Sequence, residues 1–181
     1  MRKDLVTSAL AVVVFTVLFG LAYPLVITGV SQVAFPHKAN GSRVAGGSAL
    51  LAQPFKGGRY FQPRPSQTGY NPAATAFSNR GPNQASALAF YRGELAAYVK
   101  REHVPASRVP VDAVTTSASG VDPHISQANA RIQANRVARA RRLPLARVLA
   151  LVKAHTDGRF LGVLGEPGVN VTELNLDLDG R

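Results

Sequence analysis

Ser117, Ser119, Asp122 and His124 stand together in the stretch TTSASGVDPHIS (Thr115–Ser126) and supply the residue types of a hydrolytic triad. Nucleophile, base and orienting acid normally converge from separate elements, and no G-x-S-x-G elbow is present. Crowded into one turn-rich loop, the same hydroxyls and carboxylate suit caps and turns, where they satisfy loose backbone donors. Asp122-x-His124 resembles a local pair of metal ligands. The four histidines (His37, His103, His124, His155) are dispersed and cysteine is absent, so the sequence offers no metal site. It offers no catalytic residue either.

Phosphate-binding patterns are equally thin. There is no G-x-x-x-x-G-K-[ST] loop, and the D-K-T-G phosphorylation sequence of P-type pumps is missing. Gly162, Gly165 and Gly168 recur by threes in LGVLGEPGVN (Leu161–Asn170), but no suitable helix follows, so the spacing reads as a tight turn before a last strand. Six arginines between Arg131 and Arg147, with no acid from Ile125 to His155, are the strongest charged feature. A solvated face explains them, and so does docking to an acidic partner.

The elements that must position these groups begin with a run free of charge from Leu5 to Pro36. A membrane-crossing helix needs about 20 mostly apolar residues. The core LVTSALAVVVFTVLFGLAYPLVITGV (Leu5–Val30) exceeds that, with room for tilt or a kink at Pro24. A cleaved signal peptide shares the basic start, but its apolar core ends sooner, and the weak cleavage candidate Gly20-Leu21-Ala22 lies well inside this run. Arg2 and Lys3 against Asp4 favour a cytoplasmic N-terminus, although Lys38 and Arg43 make the exit side basic as well. Residues 37–181 are then extracytoplasmic. The formal charge is +11, nearly all of it beyond the span. Outside the cell that favours lipid headgroups or an acidic protein over nucleic acid.

The expected organisation is an anchor (1–36), a tether (37–58) and one small soluble α+β domain (59–181). Gly and Pro are dense from Pro54 to Asn83, with Tyr60, Phe61, Tyr70 and Phe77 interleaved; these aromatics either plug the core or form a docking surface. Asn83 reads as an N-cap of a helix carrying Leu88, Tyr91, Leu95 and Val99 on one face, ending before Val104-Pro105. Val109–Thr116 is β-branched and predicts a short strand. Ser126 caps a second helix reaching about Arg142, in which Ile125, Ala128 and Ile132 align with Arg136 and Arg139. A third helix opens at Pro144 and closes at Gly158. The tail alternates Val169, Val171, Leu174, Leu176 and Leu178, which predicts a long strand with a bulge at Thr172–Glu173. In the span, Thr28, Ser31 and Gln32 share a face and need polar partners in lipid, so they are candidates to meet another subunit's helix. Arg136 and Arg139 are candidates as well, because a charge on an apolar stripe needs a carboxylate.

The blocks VPVDAVTTSASGVDPHIS (Val109–Ser126), ARIQANRVARARRL (Ala130–Leu143) and LGEPGVNVTELNLDLD (Leu164–Asp179) resemble the C subunit of the Kdp-type potassium-transporting ATPase. RYFQPRPS (Arg59–Ser66), YNPAATAFSN (Tyr70–Asn79) and the single N-terminal span fit the same family. The resemblance implies a non-catalytic subunit of an ATP-driven, high-affinity potassium importer in the bacterial cell membrane. Its implied partners are a channel-like potassium-binding subunit and a P-type subunit that hydrolyses ATP; ATP and potassium are used by the complex. It also implies a catalytic-chaperone role that raises ATP affinity, with a nucleotide contact carried over to Gln133. A second view places the domain over the potassium entrance without touching nucleotide.

Overall fold

A computed structural model describes residues 1–180. The chain falls into two compact units, Met1–Arg43 and a second beginning at Val44.

The first unit is dominated by one apolar helix, Arg2–Ala34, with mean hydropathy 2.5 and none of its most apolar window buried. It is long and apolar enough to cross a membrane. It comprises α1 (Arg2–Phe15), a widened π-type stretch (Thr16–Ala22) and α2 (Tyr23–Ala34). The widening has a local cause. Pro24 lacks an N–H and its ring crowds the carbonyl four residues back, so the helix before it opens, and the Tyr23 N–H bonds Leu18 O five residues back. After Phe35 a single turn, α3 (Pro36–Ala39), is tied to the span by the paired side-chain amides of Gln32 and Asn40, 3.2 Å apart at the closer contact.

The second unit opens with two-residue strands β1 (Arg43–Val44) and β2 (Gly47–Ser48). The segment read as a tether to residue 58 packs in the domain from residue 44 onward. Ala49 and Ala52 are buried, the Asn170 amide donates to Ala49 O, and the Thr172 hydroxyl to Leu51 O. Then come α4 (Ala85–Glu102), β3 (His124–Ile125), α5 (Gln127–Arg141), α6 (Leu145–Ala154), β4 (Thr156–Asp157), β5 (Gly168–Asn170) and α7 (Val171–Leu178). The sheet is small and antiparallel, in the order β3-β5-β4, with Ile125 and Thr156 both opposite Val169. Phe61, Ile125, Ala130, Ala134, Val137, Val148, Val169 and Leu174 form the core between sheet and helices. The α+β class expected from the sequence is the one observed.

Several local expectations change. Val109–Thr116 is not a strand: Pro105 and Pro110 each lead into a 3₁₀ turn, Ala106–Arg108 and Val111–Ala113. The α4 cap is Gln84 rather than Asn83, and its buried positions are Ala87, Tyr98 and Glu102, while Leu88 and Tyr91 face out. α6 begins one residue after Pro144 and is closed by His155 rather than Gly158. Most consequentially, the tail is a short strand followed by a helix. The Asn170 side chain accepts the Glu173 N–H at 3.1 Å, a cap that converts an apparently alternating run into a helical start. Val171, Leu174 and Leu178 fit a helical stripe as well as an alternating one, so periodicity alone left the choice open.

Because Leu174 is wholly buried in the core, Leu174→Ala is expected to lower stability by about 2–5 kcal/mol. Deletion from Glu173 onward is expected to abolish cooperative melting of the full-length chain in detergent. A truncated chain that unfolds as sharply as the parent would show that α7 does not seal the core.

Candidate functional site

Two of the residues singled out by sequence, Gln133 and Arg136, meet around one segment, Gly58–Gln62, which belongs to no helix or sheet. The segment passes from exposed Gly58 and Arg59 to buried Phe61, and backbone that is shielded without ladder partners must find them among side chains. Here every carbonyl in the segment does. Arg136 Nη1 donates to Gly58 O and, at 2.9 Å, to Tyr60 O; Arg141 Nε donates to Arg59 O at 2.7 Å. The Asn175 amide spans Phe61, accepting its N–H and donating to its carbonyl, both at 2.9 Å. Gln133 treats Gln62 the same way, at 2.8 and 3.0 Å. Two side-chain amides, one from α5 and one from α7, thus imitate strand partners for two successive residues. Phe61 is driven into the core between them, with no surface exposed.

Behind the clasp lies a chain of buried polar groups. Gln133 Nε2 also donates to Asn129 Oδ1 at 2.9 Å, and Arg136 Nη2 donates to Gln133 Oε1 at 2.9 Å. Gln133 is 1 % exposed, and all four of its amide bonds are made. Tyr98 donates its hydroxyl to Asn129 Oδ1, and Asn129 donates to Asp112. Asp112 takes both the N–H and hydroxyl of Ser126, whose oxygen caps α5 through the Asn129 N–H at 3.1 Å. Burial, followed by the Glu102 charge, pushes the Tyr98 phenol well above its ordinary range, so it stays a donor.

The carboxylate that meets Arg136 comes from the end of α4, not from the Asp122 loop. Glu102 is buried and receives Arg136 Nε at 3.0 Å on both oxygens, plus Arg101 Nε at 2.7 Å. Arg139 does not share this environment. It is exposed and makes no side-chain bond among the described residues, as is also true of Arg131, Arg142 and Arg147. Of the six arginines, Arg136 and Arg141 turn inward and four face out. Arg141 additionally holds Asp179 at 2.8 Å and lies 4.9 Å from the centre of the Tyr60 ring. Burial acts to raise the Asp179 carboxyl, but hydrogen bonds from Arg141 and Tyr60 outweigh it and hold it below its ordinary value. Glu102, Asp112, Arg141 and Asn175 were not among the residues expected at the site. A lone acid at a helix end and an asparagine in an apolar tail carry no sequence signal of burial.

The loop with triad-type residues is a turn cluster. Ser117 Oγ accepts the Gly120 N–H, Ser119 Oγ the Val121 N–H, and Asp122 Oδ1 the His124 N–H. The loop is pinned from the RYFQPRPS side. Arg64 donates to Thr115 O, Thr115 Oγ1 and Thr116 O, and Ser66 donates to Gly120 O at 2.6 Å. Gly120 has φ +73°, and a Cβ there would come within 2.8 Å of Thr68 Oγ1 and 3.2 Å of Ala76 O, so only glycine fits. His124 bridges Asp122 at 3.4 Å and Asp157 at 2.9 Å. The Asp122 bond, with lesser help from Asp157 and against burial, raises the His124 pKa above 6.5. Burial would raise Asp122, but the His124 bonds prevail and lower it.

Two cavities flank the network. A polar pocket of about 90 Å³ is lined by Gln62, Tyr70, Glu94, Tyr98 and Arg101 among others. Drug-sized ligands occupy roughly 300–1,000 Å³, so a nucleotide does not fit there. A wider cleft of about 550 Å³ lies between α5 and α6, with Leu149 and Val152 flanked by Arg131 and Lys153. Gln133 lines neither. In the span, Gln32 is bonded to Asn40, while Thr28 is exposed.

Over residues 5–180 the chain matches the family described as KdpC, the c chain of K⁺-transporting ATPases. It is 46 % identical to the potassium-transporting ATPase KdpC subunit of Koribacter versatilis, covering 99 % of this chain and 96 % of that protein. The KdpC subunit of Mycobacterium tuberculosis H37Rv is also 46 % identical, over 99 % of both chains. That of Caulobacter sp. K31 is 47 % identical, over 100 % of this chain and 93 % of the relative. The chain belongs to the KdpC family of potassium-transporting ATPase subunits.

Two expectations follow for the site. Gln133→Leu removes both partners of the Gln62 backbone, and leaving such groups unpaired costs about 1–3 kcal/mol; chemical denaturation that shows no loss would dismiss the clasp as a contributor. His124 titrates higher folded than unfolded, so its protonated form stabilises the fold. That contribution is complete below about pH 6.5 and fades as pH rises through the folded value. Asp122 and Asp179 act oppositely, losing their contribution as pH falls through values below 3.8. Melting of the parent should therefore decline from about pH 6.5 toward pH 8 more than that of His124→Gln; parallel profiles would refute the pairing.

Proposed function

We propose that this chain is an accessory, non-catalytic subunit of an ATP-driven potassium import complex. It is held in the cell membrane by its single span, with its N-terminus cytoplasmic and its α+β domain outside. Family membership over nearly the whole chain carries the complex; the basic residues ahead of the span support the orientation. Its partners in this reading are the channel-like potassium-binding subunit and the P-type subunit that hydrolyses ATP. The chain contributes to assembly and assists the hydrolysing subunit, the role described in the family as raising ATP affinity.

How it assists is informed by one observation. The amide of Gln133, the position implied as a nucleotide contact, is buried and fully hydrogen-bonded within the domain. Direct capture of ATP through it would require the Gln62 clasp to open. This favours the second reading, in which the domain covers or gates the potassium entrance and influences hydrolysis through assembly alone. In either reading Thr28, Ser31 and Gln32 meet a neighbouring subunit's helix, while outward Arg139 is available to a partner carboxylate and Arg136 sets the shape of the surface from within.

The readings separate by photolabelling of the purified complex with an azido-ATP analogue. Label on the hydrolysing subunit alone supports assistance without contact, and label on this chain that is lost in Gln133→Leu supports direct contact. Replacing Thr28, Ser31 and Gln32 together by leucine is expected to reduce recovery of the other subunits with the tagged chain several-fold in detergent; undiminished recovery would remove that face from the assembly.

A further inference from the structure

Between β4 and β5 the chain turns out into a short hairpin whose tip is almost wholly apolar. Phe160, Leu161, Val163 and Leu164 are 69, 77, 71 and 59 % exposed. Single exposed apolar side chains are ordinary, but four around one tip are not. The tip is also rigid. Phe160 and Leu164 exchange both backbone bonds at 2.8 and 3.0 Å, and the Gly162 N–H bonds Arg159 O at 3.1 Å. Leu161 holds φ +52°, a left-handed conformation that a leucine adopts only against a steric penalty. Among the described residues, nothing covers this knob.

We infer that the Phe160–Leu164 hairpin is a docking knob that seats in an apolar pocket on another subunit of the same transport complex. This rests on the subunit reading above. Lipid is the other apolar environment near an anchored domain, and local charge argues against it. Arg159 is the hairpin's only cation and is bound to Glu166 at 2.9 and 3.0 Å. Asp157 at its base is bonded to His124 at 2.9 Å, so the flank offers no unpaired cation on an otherwise strongly basic domain. Anionic headgroups find no unpaired cation there, and the knob carries no Trp or Tyr, the side chains favoured at membrane interfaces. A pocket with an apolar floor and a rim of cations or N–H donors complements both features. The knob is far below the roughly 800 Å² per partner of a stable interface. Its receptor is therefore a chain already held nearby by other contacts, as co-assembled subunits are, rather than a free soluble partner.

The chain has no cysteine, so a single introduced thiol reports on the tip alone. The tagged full-length chain carrying Leu161→Cys, and separately Val163→Cys, is purified alone and as the complex, after each variant is shown to melt like the parent. Fluorescein maleimide is expected to label the chain's own band at least ten-fold more slowly in the complex. Benzophenone maleimide attached at the same thiol should yield an adduct with another subunit. Equal labelling rates in the intact complex would overturn the knob while leaving the subunit reading in place. A benzophenone adduct carrying a phospholipid mass would overturn it in favour of membrane insertion. Failure of any other subunit to co-purify with the parent chain would defeat the subunit reading itself.

Discussion

The domain depends on a stretch of backbone that has no ladder of its own. Gly58–Gln62 enters the fold from the surface and buries Phe61, with its five carbonyls satisfied by side chains, four of them from α5 and α7. Water cannot substitute at Phe61, and an orphaned buried carbonyl or N–H costs about 1–3 kcal/mol. The identities of Gln133, Arg136, Arg141 and Asn175 follow from that requirement. Amides are used where one residue must both accept and donate, guanidiniums where several carbonyls must be reached in a fan. Alanines at 130, 134 and 138 keep the buried side of α5 low, which suits a helix whose polar side chains must reach backbone.

The clasp has an electrostatic condition. A guanidinium aimed into the domain is tolerable only beside a carboxylate, and Glu102 answers Arg136 from a wholly buried position. Removing one member of such a pair strands the other charge and typically costs about 3–5 kcal/mol. Asp179 answers Arg141 at the same Gly58–Tyr60 end of the segment, with Tyr60 donating to its second oxygen. Two of the chain's ten acids are thereby committed to inward arginines. The outward arginines Arg131, Arg139, Arg142 and Arg147 are left without counterparts among the described residues, and the surplus positive charge is presented to the surroundings.

Where one residue type has one local role, the sequence was readable. The apolar run, the Ser126 cap of α5 and the turn character of the Thr115–Ser126 loop are all decided within a few residues. It was less readable where two periods fit the same letters. Val169–Leu178 supports strand and helix patterns alike, and the deciding bond is the Asn170 cap. The least readable features depend on contacts far along the chain. Arg136 and Arg139 lie three apart and look equivalent, yet Glu102, 34 residues before Arg136, makes one a buried clamp and leaves the other in solvent. Asn175 is 114 residues from the backbone it holds. Such pairings have no local signature, so burial of a polar residue is foreseen only once the elements around it are placed.

The same clasp bears on how this domain can serve a transport complex. Gln133 connects the Gln62 backbone to Asn129, and through it to Tyr98, Asp112 and the start of α5. Arg136 connects Gln133 to the end of α4. Several short bonds thus tie α4, α5 and α7 to one segment. Rigid elements of this kind hold surface features at fixed relative positions, which a subunit needs if it is to register its neighbours against one another. In the proposed docking, the apolar hairpin would hold a neighbour and the outward arginines would select which acidic surface can approach.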